Sequence, residues 1–141
     1  LLVKDNHIAA AGGVATAVEA ARLGTPAHLW LQVEVESEAD AEAALEAGAD
    51  ALLLDNRSLD ELRGLVARFG ARTTLEASGG VDLETVRGIA ETGVDRISIG
   101  ALTHSAPSAD LSLEVRPEPA FPMREAADSG KSSSADDEVG V

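Results

Sequence analysis

Strands and helices alternate along this chain with a step of about 22 residues, and this period limits the possible folds more than any other feature. Short apolar runs, typical of buried strands, begin near His28, Ala51, Thr73 and Asp95. The segments between them have helical periodicity. Strands that alternate with helices of about 10 residues indicate parallel βαβ units. The sequence therefore predicts an α/β fold built on a parallel sheet.

The helix boundaries are marked by residue types that favour them. Four helical segments end at glycines, which adopt the left-handed conformation of a helix stop without a Cβ clash: Gly24, Gly48, Gly70 and Gly93. Ser58 with Glu61 has the spacing of a capping box, and Asp82 is predicted to cap the following helix. Leu83 and Ile89 are expected on the apolar stripe of that helix.

A barrel is the predicted architecture, with a solenoid of short repeats as its structural rival. The repeats share little sequence beyond the strand–helix–glycine pattern, which disfavours the solenoid. The chain supplies only about five strands, and it opens within one of them at Leu1, which is not a start methionine. We therefore expect part of a parallel α/β barrel, incomplete in this fragment, whose upstream portion is missing.

The pattern stops near residue 117. Three prolines break any regular element there, at Pro117, Pro119 and Pro122, and the stretch from Ser129 to Val141 is small, polar and acidic. Such composition is typical of disorder. We predict that residues 1–116 form the C-terminal part of the barrel domain and that residues 117–141 form a disordered acidic tail.

Composition excludes several classes of function. The formal net charge of −14 argues against nucleic-acid binding, which needs a basic surface. The chain has no cysteine, so disulfides and thiolate chemistry are excluded, and its scattered histidines disfavour a structural zinc site. No signal peptide or membrane-length apolar run is present in the sequence. A cytoplasmic protein that contacts no membrane is expected.

Side chains alternate across a strand, so each run divides into an apolar and a polar face. Glu34, Asp55 and Glu76 fall on the polar face of three successive strands, toward the strand ends where barrel enzymes place their chemistry. Buried carboxylates are costly unless they are paired or bound to a cation. Salt bridges to inward-facing basic residues would explain one such acid, whereas three in one register favour a site. A polyphosphate substrate beside carboxylates would suit Mg²⁺.

Two glycine-containing segments suggest an anion site. Ser78-Gly79-Gly80 follows a strand and precedes a helix expected to start near Asp82, and backbone N–H groups in such a loop can bind phosphate. Gly100 ends the next strand and would allow close approach of a ligand. Lys4, at the first strand end, is predicted to face an anion. Gly12-Gly13 is expected to connect this strand to the first helix.

These segments together resemble the C-terminal part of quinolinate phosphoribosyltransferases. The motifs that carry the resemblance occur in order as Lys4-Asp5-Asn6-His7-Ile8, Val33-Glu34-Val35-Glu36, Leu54-Asp55-Asn56, Leu75-Glu76-Ala77-Ser78-Gly79-Gly80-Val81 and Ser98-Ile99-Gly100-Ala101-Leu102-Thr103-His104-Ser105. The resemblance covers roughly residues 1–115, and the combination is specific although each motif alone is not. It implies a type II phosphoribosyltransferase barrel.

The resemblance also implies an activity and roles for individual residues. The family converts quinolinate and phosphoribosyl pyrophosphate to nicotinate mononucleotide, pyrophosphate and CO₂, with Mg²⁺, in NAD biosynthesis. Lys4, Glu34 and Asp55 would be catalytic, with Lys4 neutralising substrate charge and the two acids holding ribose hydroxyls and Mg²⁺, directly or through water. The remaining substrate-binding residues would surround the 5′-phosphate: Ser78, Gly79, Gly80 and Gly100 would form its cradle, with His104 nearby. A homodimer or higher homo-oligomer is implied for the full-length protein.

Three other functions stay open at this stage. A related barrel phosphoribosyltransferase could act on another pyridine, because the residues that grip quinolinate in the family would lie upstream. A different phosphate-binding barrel would not need Glu34 and Asp55 together. An inactive remnant could serve only to bind a partner. We expect these 141 residues alone to be inactive, since one lysine before the tail is too few for two highly anionic substrates.

Overall fold

The computed structural model describes residues 1–105 and 108–115. Five strands form one parallel sheet in the order β1-β2-β3-β4-β5, so each strand pairs with its neighbour in sequence. The strands are β1 (Leu2–Val3), β2 (Gln32–Glu34), β3 (Ala51–Asp55), β4 (Thr74–Ser78) and β5 (Arg96–Ile97). Sequential parallel order with helical crossovers is the arrangement of an α/β barrel, and the predicted partial barrel is confirmed.

Within the described residues, six helices accompany the sheet. They are α1 (Asp5–Ala11), α2 (Val14–Gly24), α3 (Glu38–Glu46), α4 (Leu59–Phe69), α5 (Val86–Ala90) and α6 (Ala101–His104). The apolar strand residues and the inner faces of the helices form one core, in which Phe69, Leu52 and Leu62 are almost completely buried. The helices therefore cover one face of the sheet and leave the other face for the site.

The predicted alternation of the strands is confirmed by burial. On β4, Leu75 and Ala77 are buried against the helices, whereas Thr74, Glu76 and Ser78 are only half-buried on the opposite face. β3 departs from a strict alternation, because Leu53 on the polar face is also buried, at 7% exposure. Leu53 lies between Glu34 and Glu76 in the strand register, so an apolar residue separates two carboxylates.

The predicted capping box at α4 is confirmed. The Ser58 side chain accepts a hydrogen bond from the Glu61 N–H at 3.3 Å, and Glu61 accepts one from the Ser58 N–H at 2.8 Å. The Ser58 hydroxyl also donates a hydrogen bond to the Glu61 carboxylate at 2.6 Å. This bond first, and the Ser58 N–H bond after it, hold the pKa of Glu61 below its ordinary value. Reciprocal bonds of this kind satisfy N–H groups that a helix start leaves without partners.

Three expectations about helix boundaries are wrong. The first helix begins at Asp5 directly after β1, so Gly12-Gly13 joins α1 to α2 instead of joining a strand to a helix. Of the four glycines expected to be left-handed stops, Gly48 and Gly93 have positive φ, whereas Gly24 and Gly70 do not. The chain ends a helix at the latter two without the left-handed conformation.

The third error concerns the segment before α5. Asp82 accepts hydrogen bonds from the N–H groups of Glu84 and Thr85, at 2.9 and 2.8 Å, and so stabilises a turn ahead of the helix. These bonds, with Thr85 the largest contributor, lower the pKa of Asp82. Because α5 starts only at Val86, Leu83 lies outside it and is 95% exposed, not part of an apolar stripe.

The chain divides into two compact units, Leu1–Ser108 and Ala109–Val141. The first contains the sheet and the six helices that the structure describes. In the second, the structure describes residues 109–115, which carry no helix or strand. The predicted disordered tail, residues 117–141, lies outside the described residues. Within the described part, no helix has the length and apolar character needed to cross a bilayer.

Candidate active site at the carboxyl ends of the strands

The predicted site residues Lys4, Glu34, Asp55 and Ser78 lie at the carboxyl ends of four neighbouring strands. Val3 pairs with Val33 in the sheet register, which sets the following residues Lys4 and Glu34 side by side. Asp55 pairs with Ser78 between β3 and β4, two residues beyond Leu53, which is the partner of Glu34. The parallel register therefore gathers side chains that are far apart in sequence at one edge of the sheet, as the alternation predicted.

Lys4 and Glu34 form an ion pair. The Lys4 Nζ atom lies 3.5 Å from Glu34 Oε2, and the two side chains are 49% and 19% exposed. This Oε2 atom is buried and accepts no hydrogen bond. A buried carboxylate oxygen without a hydrogen bond is costly, and native structures leave few such atoms. The pair thus leaves an acceptor available for a further cation or donor.

A cavity of about 340 Å³ opens beside this pair. Its lining consists of Glu34, Val35, Glu36, Asp55 and Arg57. Three of these five residues are carboxylates and one is basic, so the cavity concentrates negative charge. The structure therefore brings Glu34 and Asp55, the two acids predicted for the site, to the same cavity. Its chemistry suits a ligand that supplies hydroxyl donors or a divalent cation.

Asn56 connects the end of β3 to the end of β4. Its N–H donates to the Ser78 carbonyl at 2.8 Å, and its side-chain amide donates to the Asp55 carboxylate at 2.6 Å. Asn56 adopts positive φ, and its amide oxygen lies against Gly79, where an added Cβ would approach it to 2.2 Å. A side chain at Gly79 would therefore displace the amide that orients Asp55.

The loop of Ser78, Gly79 and Gly80 begins at the last residue of β4. Both glycines have positive φ. Among the backbone hydrogen bonds that the described residues make outside helices and strands, none is donated by the Gly79 or Gly80 N–H. Since α5 begins only at Val86, these loop amides, and not the N-terminus of a helix, would bind a phosphate. This corrects the expectation that a helix begins near Asp82.

Gly100 and His104 lie together at the next strand end. The His104 imidazole folds back over Gly100, where an added Cβ would come within 2.8 Å of its Nε2 atom. The other ring nitrogen, Nδ1, is 2.8 Å from the Ser105 hydroxyl. The space beside Gly100 is thus taken by the histidine in this structure. The two residues are adjacent, and the imidazole presents a polar edge there.

A hydrogen-bonded carboxylate crosses the polar face of the sheet. Glu76 on β4 accepts a bond from the Gln32 side-chain amide of β2 at 3.1 Å and another from the Ser98 hydroxyl after β5. The three side chains thereby link strands β2 and β4 and the residue that follows β5. Both oxygens of Glu76 have neutral hydrogen-bond partners, in contrast to Oε2 of Glu34. Glu76 therefore joins the strands on the polar face and leaves neither oxygen unpaired.

The carboxylate oxygens of the cavity are compatible with Mg²⁺ as metal-binding donor atoms. This ion commonly takes one or two protein carboxylates and completes its shell with water and substrate phosphates. Glu34 Oε2, buried and without a hydrogen bond, is the first such donor, and Asp55 is the second. Across residues 1–105 and 108–115, no three His, Cys, Asp or Glu side chains are grouped so that they could hold a metal ion. Any Mg²⁺ here would therefore need substrate oxygens.

Several residues of the site escaped the sequence-based site prediction. Glu36 follows Glu34 by two residues and shares its face, so alternation alone could have included it. Asn56 and Arg57 lie past the end of β3, where alternation no longer applies. The Nδ1 atom of His7 accepts a hydrogen bond from the Lys4 N–H at 3.0 Å and so caps α1.

Comparison with known proteins agrees with this geometry. Residues 1–114 match the family described as "Quinolinate phosphoribosyl transferase, C-terminal domain". The nicotinate-nucleotide pyrophosphorylase (carboxylating) of Homo sapiens is 44% identical over 119 residues, which are 82% of this chain and 40% of that protein. A probable enzyme of the same name from Bacillus subtilis is 40% identical over 115 residues, again 82% of this chain and 40% of the relative.

Solved structures give the same result. NadC from Streptococcus pyogenes is 41% identical with a TM-score of 0.72, covering 82% of this chain and 40% of that one. The nicotinate-nucleotide pyrophosphorylase from Francisella tularensis is 40% identical with a TM-score of 0.66, over 72% and 36% of the two chains. The chain spans about 40% of the length of the curated relatives it matches. By sequence and by fold, it belongs to the quinolinate phosphoribosyltransferase family.

Proposed function

We propose that this chain supplies the phosphoribosyl-binding part of an enzyme that transfers phosphoribose from phosphoribosyl pyrophosphate to quinolinate. The products would be nicotinate mononucleotide, pyrophosphate and CO₂, in the synthesis of NAD. One observation carries the proposal: Lys4, Glu34, Asp55 and the Ser78–Gly80 loop lie side by side at four adjacent strand ends. The relatives' names, which describe carboxylating nicotinate-nucleotide pyrophosphorylases, support it.

The acidic cavity fits the ribose. Ribose hydroxyls are hydrogen-bond donors, and Glu34 has a buried oxygen that accepts no hydrogen bond. During transfer the bond from the anomeric carbon to pyrophosphate breaks and a bond to the pyridine nitrogen forms. Positive charge develops on the sugar as the leaving group departs. Carboxylates held beside the sugar would stabilise that charge, and they need no covalent intermediate.

The groups around the cavity would hold the anionic ends of the substrates. The free loop amides of Gly79 and Gly80, with Ser78, Gly100 and His104 close by, would bind the 5′-phosphate. The Lys4 ammonium, half-exposed beside Glu34, would neutralise carboxylate or phosphate charge. Each group is a donor or a cation, as binding of an anion requires.

Mg²⁺ is proposed as the cofactor, with Glu34 and Asp55 as its protein contacts, directly or through water. Bound there it would offset the charge of the pyrophosphate and assist its departure. Asn56 holds the Asp55 carboxylate through its amide at 2.6 Å and so orients it toward the cavity. A homodimer or higher homo-oligomer, which the family resemblance implies for the full-length protein, stays a prediction, and so does the cytoplasmic location inferred from the sequence.

The proposal is tested by titrating the 141-residue chain with phosphoribosyl pyrophosphate and Mg²⁺ in a calorimeter. We expect saturable binding that Glu34→Gln and Asp55→Asn each weaken at least tenfold, about 1.4 kcal/mol. Asp60→Asn is the matched control, because Asp60 is 95% exposed and pairs only with Arg63 in the described residues. Binding that the first two changes leave intact would contradict the proposed site, and a chain that does not bind would contradict the function.

A further inference from the structure

Two buried polar side-chain atoms in the described residues have no hydrogen-bond partner, and both belong to the acidic cavity. One is the acceptor Glu34 Oε2 and the other is the donor Arg57 Nε. Both residues line the cavity described above. Because buried polar groups in native proteins are nearly always satisfied, an unpaired acceptor and an unpaired donor at one cavity indicate a place prepared for a polar ligand.

Arg57 spans the ends of two strands. Its Nη2 atom donates to the Val35 carbonyl at 3.1 Å, and Val35 separates the cavity acids Glu34 and Glu36. Its Nη1 atom lies 3.7 Å from a carboxylate oxygen of Glu61, which caps the start of α4. Arg57 itself follows Asp55 by two residues. The guanidinium therefore ties the segment that carries Glu34 to the segment that carries Asp55.

The charge of Arg57 is also significant in this place. It is the only basic residue among the five that line the cavity, and three of the other four are carboxylates. Like charges brought together repel, and the repulsion is strong where the side chains are shielded from water. Arg57 is 23% exposed, so its charge is partly shielded as well. A guanidinium there offsets the repulsion and keeps the acids close enough to share a ligand.

We propose that Arg57 is a positioning residue of the phosphoribosyl site, which fixes Glu34 and Asp55 at the separation that the ribose and its cation require. This inference rests on the proposed function. It assigns the residue a role through the two carboxylates and through the Val35 carbonyl. Lysine at this position would keep the charge but lose the planar fork that reaches Val35 and Glu61 together.

The test compares Arg57→Met, Arg57→Lys and the control Arg63→Met in the 141-residue chain. Methionine keeps the aliphatic stem, so a role in packing alone would survive the change. Arg63 lies on α4, is 52% exposed, and pairs with Asp60 outside the cavity. The affinity for phosphoribosyl pyrophosphate with Mg²⁺ is measured by calorimetry, the affinity for inorganic phosphate separately, and the thermal midpoint by circular dichroism.

We expect Arg57→Met to weaken binding of phosphoribosyl pyrophosphate about tenfold, Arg57→Lys about threefold, and Arg63→Met not at all. Binding of inorganic phosphate, which tests the glycine loop, should stay unchanged. Unaltered affinity in Arg57→Met would overturn the inference, as would an equal loss for both ligands with a lowered midpoint. If the unsubstituted chain binds inorganic phosphate but not phosphoribosyl pyrophosphate, the proposed function fails and the inference fails with it.

Discussion

The ammonium of Lys4 and the carboxylate of Glu34 meet at 3.5 Å across the ends of the first two strands. They are 30 positions apart in the chain and are brought together by the pairing of Val3 with Val33. The Glu34 oxygen in this contact is otherwise without a partner. The cost of burying this charged oxygen is therefore offset by one neighbouring cation, Lys4. The effect of that cation on the stability of the fold can be measured in the absence of any substrate.

Replacing Lys4 by methionine should destabilise the fold by about 1 kcal/mol, because a buried carboxylate oxygen then lacks its cation. The double variant Lys4→Met with Glu34→Gln should recover most of the loss, since the uncompensated charge is gone. Urea denaturation of the single and double variants gives the coupling between the two sites. Equal stability of Lys4→Met and the unsubstituted chain would show that the contact is energetically neutral.

A methyl group at Gly79 should be much more damaging than one at Gly12. Both glycines have positive φ, 86° and 82°, so alanine meets a similar backbone cost of about 1–2 kcal/mol at each. At Gly12 the added Cβ has open space, whereas at Gly79 it would lie 2.2 Å from the Asn56 amide oxygen. Urea denaturation should show a clearly larger loss for Gly79→Ala. Equal losses would mean that Asn56 moves away freely.

The Glu61 cap should make the free energy of unfolding depend on pH. Its pKa is held below the ordinary value of 4.5, first by the Ser58 hydroxyl and then by the Ser58 N–H. A carboxyl whose pKa is lowered by folding stabilises the fold above pH 4.5 and loses that effect as the pH falls through the lowered value. The unfolding free energy of the chain should exceed that of Glu61→Gln at pH 7, and the gap should close below pH 4.5. Glu19→Gln, on α2, serves as control, and a gap that does not narrow as the pH falls below 4.5 would contradict the expected role of the cap.

Leu62 and Leu83 should respond differently to truncation. Leu62 of α4 is 1% exposed, so Leu62→Ala should cost about 3 kcal/mol through lost burial and a residual cavity. Leu83 is 95% exposed in the turn before α5, so Leu83→Ala should change stability by less than about 0.5 kcal/mol. Thermal unfolding measures both. A large loss at Leu83 would place that residue in a contact surface.

Periodicity predicts the sheet and most of the site because both depend on alternation. Glu34 and Glu76 lie on the polar face since their strand neighbours Val33 and Leu75 must be buried. The same logic assigned Lys4 to a strand end beside an anion, and the ion pair agrees with that assignment. A parallel register then brings these positions together without further information from the sequence.

Alternation fails where the strands end, and the missed features lie there. The start of α1 at Asp5 depends on the His7 ring accepting the Lys4 N–H, a cap that is not among the usual serine, threonine or aspartate signals. Arg57 reaches the Val35 carbonyl of a neighbouring segment, a contact set by tertiary structure. Leu83 resembled a stripe residue by spacing, but Asp82 stabilises a turn that delays the helix.

Product formation tests the central claim most directly. Residues 1–114 replace the matching segment of the Streptococcus pyogenes relative, and the chimera is given quinolinate, phosphoribosyl pyrophosphate and Mg²⁺, with circular dichroism to verify that it is folded. We predict nicotinate mononucleotide and CO₂ in equal amounts, and at least a hundredfold lower rates with Glu34→Gln or Asp55→Asn, about 2.7 kcal/mol in the barrier. A folded chimera that forms no product, or one whose rate survives both substitutions, would contradict the assignment of these strand ends as the phosphoribosyl site.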